Sequence, residues 1–237
     1  MIHPTAQIHN NAKVSSDVSI GPYSNIGSGV EIKSGVKIES HVRIDGKVSI
    51  EESVKIFSHA KIGNENSEVV IGRGSHIREF VQIAVDKRGS VEIGDEVFLM
   101  AYVQIHADVK IGDNSVLTNA VCLREDVECE ERVIIGGLSS VDRGVKIGTG
   151  VMIGGASHLK SSIPPFCLVE GSPAKVRGLN AIGIRRRFQN GDDISMIKNA
   201  YKSTYRDGVD KSSAKEIIKS DLNSNSVRFA QFIVDNL

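Results

Sequence analysis

Residues 14–62 read VSSDVSIGPYSNIGSGVEIKSGVKIESHVRIDGKVSIEESVKIFSHAKI, with Ile or Val at every sixth position. The spacing extends back to Ile2 and, with two interruptions, onward to Leu159, and only Cys129 of the 26 anchor positions departs from Ile, Leu or Val. An amphipathic helix repeats every 3.6 residues and a half-buried strand every two, so neither produces this spacing. A six-residue repeat therefore predicts a solenoid of stacked coils.

Two companion positions support the same prediction. The residue two before each anchor is mostly small or β-branched, as at Val18, Val30 and Val48, and we expect it to point inward beside the anchor. Gly follows the anchor in nine repeats, where we expect the chain to turn a tight corner. Hexapeptides of this form predict a left-handed parallel β-helix with three strands per coil, about eight to nine coils and ~40 Å in length.

The repeat sets the predicted domain boundaries, with the β-helix over residues 1–163. Pro164 and Pro165 lack the N–H groups that a further coil needs, so residues 164–192 are expected to form an extended exit segment and a basic turn. Residues 193–237 are expected to form a small α-helical unit that covers the open last coil. Apolar spacing predicts three helices there, the first capped by Asp193, with apolar positions at Ile194, Ile197, Tyr201 and Tyr205, at Ala214, Ile217 and Ile218, and at Val227, Ala230, Val234 and Leu237.

The six-residue count is interrupted twice. Three extra residues fall within 63–68 and four within 84–89, a segment that contains Asp86, Lys87 and Arg88. Extra residues must leave the wall of the solenoid as loops. We expect these loops to border a cleft, because the faces of a solenoid are otherwise flat.

Composition narrows the class of protein. The net charge is zero, which gives no electrostatic reason for binding nucleic acid. The chain has no 18-residue apolar run, and its start, MIHPTAQIHNNAK, lacks the features of a signal peptide, so we expect a cytoplasmic protein that does not insert into membranes. Cys122, Cys129 and Cys167 are expected to be reduced packing residues, and no spacing of ligands predicts a metal site.

Several segments together resemble one family. They are the N-terminal MIHPTA, the run of hexapeptides, Ile77-Arg78-Glu79, the exit segment PPFCLVEGSPAKVRGLN and the basic segment GIRRRF. This combination resembles the acyl-carrier-protein-dependent UDP-N-acetylglucosamine O-acyltransferases of lipid A synthesis, within the hexapeptide-repeat superfamily. The resemblance implies a homotrimer with sites between subunits. It also implies transfer of a 3-hydroxyacyl chain from acyl carrier protein to the 3-position of a UDP-linked amino sugar, with no cofactor besides acyl carrier protein as co-substrate.

The resemblance also locates the expected general base. The family motif has the form M-A-Y-x-H-I-A-H-D, and residues 100–108 read MAYVQIHAD. Gln104 replaces the first His and Ala107 occupies the position of the base. His106, one residue earlier, is the candidate base, and Asp108 or Asp126 is a candidate to orient its second nitrogen.

Other positions are matched to the same family site. Two further family histidines correspond to Asp126 and Asp142, with Arg143 beside the latter. Gly155 corresponds to the position that sets acyl-chain depth. Asn180 and Arg186 correspond to positions that hold the nucleotide, although Arg186 could equally belong to a solvated turn packed on the helices. His41, His59 and His76 are expected to be surface or intersubunit hydrogen-bonding residues.

Three functions remain open from the sequence. The first is the acyltransferase implied by the resemblance. The second is a catalytically inactive homologue that binds acyl carrier protein or sugar nucleotide as a regulatory or scaffold trimer, because the base, both supporting histidines and the substrate loop are altered. The third is an acetyl-CoA-dependent sugar acetyltransferase with a relocated base, for which the C-terminal helices and the basic segment are unusual.

Overall fold

The computed structural model describes residues 1–84, 88–220 and 223–237 and confirms the β-helix. Strands pair in parallel with strands of the next coil, as in Gln7 with Asn25, and build three flat faces. Face 1 contains Gln7–Ile8, Asn25–Ile26, Arg43–Ile44, Lys61–Ile62, Gln82–Ile83, Gln104–Ile105, Cys122–Leu123, Ser140–Val141 and His158–Leu159. Face 2 contains Lys13–Val14, Val30–Ile32, Lys47–Ile50, Ser67–Ile71, Gly89–Ile93, Val109–Ile111, Glu128–Cys129 and Lys146–Ile147. Face 3 contains Ser19–Ile20, Lys37–Ile38, Lys55–Ile56, His76–Ile77, Phe98–Leu99, Val116–Leu117, Ile134–Ile135, Met152–Ile153, Cys167–Gly171 and Ala174–Leu179.

The anchors and their companions form one continuous core, as the repeat predicts. Ile44, Ile62 and Val36 are fully buried. Where Ser replaces the companion, its hydroxyl group is satisfied inside the wall: Ser75 Oγ donates to the Gly94 carbonyl at 2.9 Å and accepts from the Val97 N–H at 2.9 Å. The interior is therefore dry and aliphatic, with its polar groups paired.

Eight of the nine glycines after the anchors have a different physical reason from the one expected, and Gly63, with a φ of +71°, is the exception. A Cβ on Gly21 would lie 2.7 Å from the Glu39 carbonyl carbon, and one on Gly72 would lie 2.4 Å from the Gly94 carbonyl carbon. Neither glycine has a positive φ, so the requirement is close approach of the next coil rather than turn geometry. The left-handed conformation instead falls at the corners, largely on residues that carry side chains.

Three corners join the faces, and each repeats a left-handed residue. Corner 1, between faces 3 and 1, comprises Tyr23, His41, His59, Phe80, Tyr102, Ala120, Leu138 and Ala156. Corner 2, between faces 1 and 2, includes Gly46, Gly63, Ala84, Asp108, Asp126 and Gly144. Corner 3, between faces 2 and 3, comprises Gly35, Ser53, Gly74, Glu96, Asn114, Arg132, Gly150 and Phe166.

Corner 1 carries an exposed stack of rings. Tyr23, His41, His59, Phe80 and Tyr102 follow one another with ring centroids 4.9–5.2 Å apart. His41 and His59 are exposed, as expected, and make ring contacts within this stack; hydrogen bonds between subunits stay a prediction for them. His76 packs between Phe57 and Phe98, and burial is the main cause that lowers its pKa.

The first register break forms a loop beside an open recess. The recess has a volume of about 660 Å³ and is lined by Arg43, Asp45, Lys61, Gly63, Asn64, Glu65, Asn66 and Gln82. Asn64 fixes the loop, since its Nδ2 donates to the Ala84 carbonyl at 2.7 Å. At the second break, residues 85–87, including Asp86 and Lys87, lie outside the described residues.

The stacked strands continue beyond residue 163, where the prolines were expected to end them. Ile163 bridges to Ile147, and the N–H of Phe166 donates to the Thr149 carbonyl at 2.8 Å. Pro164 and Pro165 lie between these two contacts, so their missing N–H groups cost no ladder hydrogen bond. The expected extended segment is a hairpin: Cys167–Gly171 pairs in parallel with Met152–Ile153 and antiparallel with Ala174–Leu179.

After the hairpin, the described residues form four α-helices. They are α1 (Ala181–Arg187), α2 (Gly191–Tyr201), α3 (Lys211–Ser220) and α4 (Ser224–Asn236), with a π-helical segment at Lys202–Arg206. The basic segment is thus a short helix. The cap of α2 is Asn190 rather than Asp193, because the Asn190 side chain accepts from the Asp192 N–H at 3.0 Å. Asp193 instead accepts from Asn223 Nδ2 at 2.6 Å.

An ionic cluster joins the helices to the solenoid. Glu131 Oε1 accepts from Arg187 of α1 and from Arg228 of α4, both at 2.8 Å. Burial alone would raise the pKa of Glu131, but the hydrogen bonds from Arg187 and Arg228 outweigh it and lower that pKa to about 2. The helical unit is therefore fixed to the last coils by charge as well as by packing.

The three cysteines carry free thiols. Burial raises the pKa of the Cys129 thiol to about 12 and also raises that of Cys167, so both are inert packing groups. Among the helices that the structure describes, none is both long and apolar enough to cross a membrane.

Candidate active site

The expected position of the base contains no group that can take a proton. Ala107 is only 4% exposed, and its side chain is a methyl group. His106, beside it, is half-buried at the end of face 1, and the described residues give its ring no hydrogen-bond partner. The Asp108 carboxylate, one candidate to orient His106, accepts the Ser90 N–H at 3.0 Å.

The second candidate to orient His106 is also occupied. Asp126 accepts from Arg143 Nε at 2.7 Å, and this ion pair is the main cause that raises the pKa of Arg143. The structure thus brings together two of the predicted residues, but as a pair between coils at corner 2. Among the described residues, neither Asp108 nor Asp126 is hydrogen-bonded to His106.

Asp142 lies in the same column as His106 but two coils further along. The N–H of His106 donates to the Leu123 carbonyl, and the N–H of Arg124 donates to the Val141 carbonyl, so Arg124 separates them. Two coils correspond to about 10 Å, too far for Asp142 to orient His106. Gln104 is exposed in the neighbouring column of face 1, between Gln82 and Cys122.

Gly155 lies in a shallow trough of bare backbone between face 3 and corner 1. Gly136, Gly137 and Gly154 form the rest of its floor, with the outward side chains of Ile134 and Met152 on one side and Leu138 on the other. Gly136 is required by packing, since a Cβ there would lie 2.4 Å from the Gly155 nitrogen.

Gly155 itself differs from Gly136. Its φ is not positive, and the nearest atom to an added Cβ would be the Gly137 oxygen at 3.3 Å. A Cβ at Gly155 would therefore make one tight contact with a backbone oxygen, although it would be much less obstructed than a Cβ at Gly136. The glycine also leaves space open outside the wall, which is apolar at its edges.

Asn180 and Arg186 lie at corner 3, and they differ in how they are used. The Asn180 side chain caps α1 by accepting the Gly183 N–H at 2.9 Å, and its Nδ2 donates to the Gly150 carbonyl at 3.1 Å. Arg186 is exposed, and no partner for its guanidinium group is present among the described residues. Arg186 is thus free to bind an anion, whereas Arg187 is held by Glu131.

Within one chain the predicted residues do not converge on a single site. His106, Asp126 and Arg143 lie at or beside corner 2, Gly155 lies beside corner 1, and Asn180 and Arg186 lie at corner 3. One ligand could contact all of them only if different copies of the chain met along their long edges. In the described ranges, no three His, Cys, Asp or Glu side chains are grouped as metal ligands would be.

Sequence reasoning missed one pair and one cluster. His158 Nε2 is 2.9 Å from Asp142 Oδ1, on adjacent coils of face 1. The sequence does contain a signal for this pair, because residues about 18 apart stack in a solenoid and Asp142 and His158 are 16 residues apart. The cluster of Glu131, Arg187 and Arg228 spans 97 residues of sequence and carries no such signal.

Family models match both parts of the chain. The model described as domain 2 of UDP-N-acetylglucosamine O-acyltransferase matches residues 163–236. The model of bacterial transferase hexapeptide repeats matches residues 1–34 and 90–124. These segments coincide with the helical unit and with parts of the solenoid.

Relatives and solved structures of similar length agree. The chain is 41% identical over 193 residues to the acyl-[acyl-carrier-protein]–UDP-N-acetylglucosamine O-acyltransferase of Nautilia profundicola, covering 76% of this chain and 74% of that protein. It is 38% identical over 192 residues to the enzyme of the same name from Campylobacter jejuni subsp. jejuni, covering 76% and 73%. The structure of the UDP-N-acetylglucosamine acyltransferase from Campylobacter jejuni superposes with a TM-score of 0.94 at 35% identity, covering 100% of this chain and 97% of that one.

A second solved structure, from Acinetobacter baumannii, superposes with a TM-score of 0.90 at 33% identity, covering 99% of this chain and 95% of that one. The agreement includes the hairpin and the helices as well as the coils. The chain belongs to the family of acyl-[acyl-carrier-protein]–UDP-N-acetylglucosamine O-acyltransferases.

Proposed function

We propose that this protein transfers a 3-hydroxyacyl chain from acyl carrier protein to the 3-position of a UDP-linked amino sugar, with no other cofactor. Family membership supports the two substrates, because the relatives are named for them. The observation that carries the proposal is the trough at Gly155, where the backbone is bare and packing within the chain obstructs a Cβ far less than it does at Gly136. An apolar trough of this kind accepts an alkyl chain.

Arg186 is the proposed partner of the diphosphate. A guanidinium group donates two parallel hydrogen bonds to phosphate oxygens, and this one is exposed and unpaired among the described residues. We expect Arg186→Ala to weaken sugar-nucleotide binding by about 1–3 kcal/mol in a calorimetric titration. Arg185→Ala, an exposed neighbour on the same helix, is the matched control, and equal binding by both variants would remove Arg186 from the site.

The proposed active assembly is a homotrimer. Corner 1 exposes a stack of rings and Leu138, which is 75% exposed, and such a stripe of apolar side chains is typical of a protein interface. Copies joined along their edges would also unite the three corners that one chain keeps apart. Leu138→Glu should reduce the mass found by light scattering, whereas Lys110→Gln on face 2 should not. A wild-type monomer would contradict the trimer.

We also propose that the enzyme is cytoplasmic. The test incubates the protein with 3-hydroxyacyl carrier proteins of several chain lengths and UDP-N-acetylglucosamine or its 3-amino analogue, and follows acylated sugar by mass spectrometry. Gly155→Met should remove activity with the longest accepted donor and keep it with shorter ones, while Lys110→Met on face 2 should change neither. No product with any donor would refute the proposed reaction.

One observation favours a second function. Ala107 is buried and cannot act as a base, so a homologue that binds acyl carrier protein or sugar nucleotide without catalysis remains an alternative. Saturable binding of either substrate without product would support it. The location of a working base decides between the two functions.

A further inference from the structure

We propose that His158 is the general base of this chain and that Asp142 is the residue that positions it. The inference rests on the acyl transfer proposed above. His158 thus takes the role that the family assigns to the position of Ala107 and that the sequence assigned to His106.

The hydrogen bond between the two side chains determines which ring nitrogen is free. His158 Nε2 is 2.9 Å from Asp142 Oδ1, so Nε2 carries the proton and donates it to the carboxylate. Nδ1 then keeps its lone pair and can accept a proton. A carboxylate on the far nitrogen is the arrangement that general-base catalysis by His requires, since it fixes the tautomer and stabilises the imidazolium ion.

Among the seven histidines, His158 is the one that the described residues provide with a carboxylate partner. His3 and His9 contact their own turns through Thr5 and the Asn11 N–H. The remaining rings are either stacked on other rings or without a described partner, and they are His41, His59, His76 and His106.

His158 is also accessible on a surface that suits a neutral polar ligand. Its side chain is 34% exposed, and that of Asp142 is 46% exposed. Ser140 lies in register beside His158 on the preceding coil, and Cys122 and Gln104 continue the column. This column, here called the strip, is therefore polar and uncharged beside the imidazole, while the adjoining column carries Arg124 and Asp142.

The strip adjoins the trough. Gly155 precedes His158 by three residues on the same coil, a separation of roughly 10 Å along the chain. The coil of Ala107 lies three coils earlier, or roughly 14 Å along the solenoid. If the acyl chain ends at Gly155, its length is set by the distance from Gly155 to the base. His158 lies on the coil of Gly155, so it leaves space for a shorter acyl chain than a base at Ala107 would leave.

The proposed step is balanced without any further reactant. The acceptor hydroxyl oxygen forms a bond to the thioester carbonyl carbon while its proton moves to His158 Nδ1. The carbon–sulfur bond then breaks, and the imidazolium ion returns the proton to the departing thiolate of the carrier protein. The products are the acylated sugar, the free carrier thiol and neutral His158.

The experiment compares wild type with His158→Ala, Asp142→Asn and His106→Ala, with His9→Ala as the matched control at the remote end of the solenoid. Initial rates are measured with carrier-bound 3-hydroxyacyl donors from short to long chains. We expect His158→Ala to lower kcat at least ~100-fold with KM little changed, and added imidazole to restore part of the rate. His9→Ala should retain the wild-type rate.

Asp142→Asn adds a readout that a structural role would not move. A neutral amide no longer fixes the Nε2–H tautomer of His158, so kcat should fall with KM little changed, and Asp142→Glu should recover part of the rate. A His158→Ala protein that folds and keeps its rate within about threefold overturns the base assignment while leaving the reaction intact. A wild-type protein that yields no product with any donor refutes the proposed function itself and the base with it.

Discussion

Two sets of ionic contacts start from neighbouring coils and differ in what they join. Glu131 binds two arginines from helices that are remote in sequence, and the side chains of Glu131 and Arg187 are 33% and 25% exposed. Asp126 with Arg143 and Asp142 with His158 join neighbouring coils only, and their side chains are 34–74% exposed. The first set is partly shielded from water and converges on one carboxylate, whereas the second consists of separate pairs.

The difference teaches how to separate structural charge from functional charge in a solenoid. Coils are already held by their ladders and their aliphatic core, so an exposed pair between coils adds little to stability. A helical unit has no such ladder to the wall and needs specific contacts. The Glu131 cluster is explained by attachment of the helices, and the pairs at face 1 and corner 2 have no comparable structural task.

The largest expected effect on stability is that of Glu131→Gln. The neutral amide no longer forms an ion pair with Arg187 and Arg228, and among the described residues only Arg228 keeps a second carboxylate, Glu130 at 3.5 Å. We expect a loss of about 1–2 kcal/mol, below what the pKa shift alone implies, because a third of the side chain is exposed. Thermal unfolding measures it, and Glu128→Gln, which removes a more exposed partner of Lys146, is the control. Equal unfolding midpoints for the two variants would show that the Glu131 cluster stabilises the fold no more than an exposed ion pair between coils does.

The same cluster predicts a loss of stability in acid. The pKa of Glu131 is about 2 in the folded protein and near its ordinary value of 4.5 when unfolded. Its contribution is therefore complete above pH 4.5 and is lost as the pH falls from about 4.5 towards 2. Urea unfolding across this range should show a smaller acid loss for Glu131→Gln than for wild type. Parallel curves for the two proteins would mean that Glu131 is not protonated on unfolding in acid.

Asp142→Asn should have a smaller effect on stability. The pair with His158 is exposed on both sides, so its loss should cost no more than about 1 kcal/mol. Unfolding in urea at neutral pH gives this value directly. A loss as large as that of Glu131→Gln would make the pair structural and would weaken its proposed catalytic role.

Arg143→Ala should have the smallest effect. Its guanidinium group is 74% exposed and contacts the Asp126 carboxylate on the neighbouring coil. Both coils are already held together by their strand hydrogen bonds and the aliphatic core. We expect no measurable change in the unfolding midpoint. A clear decrease would show that exposed pairs also contribute to stacking, contrary to the comparison above.

The sequence was sufficient for the solenoid because each anchor repeats one local rule, and Ile20, Ile44 and Ile83 are buried for the same reason. It was less informative where the rule stops. The hairpin after Pro165 was missed because whether a proline breaks a ladder depends on which N–H groups the neighbouring coil needs. The contact of His158 with Asp142 follows from stacking but was overlooked, and the Glu131 cluster depends on tertiary packing that no spacing encodes. The identity of the general base remains a prediction. The motif at residues 100–108 shows which positions correspond to the family site, but it does not show which side chains contact one another.

Nearest-neighbour stacking has a consequence for how such a chain can change length. Each coil pairs only with its two neighbours, as Val30–Ile32 pairs with Lys13–Val14 on one side and with Lys47–Ile50 on the other. Whole coils of about 18 residues can thus be gained or lost far from the helices over evolution, while the strip and trough near the helices keep their geometry. The number of coils and the residues of the proposed site can therefore change independently of each other in this architecture.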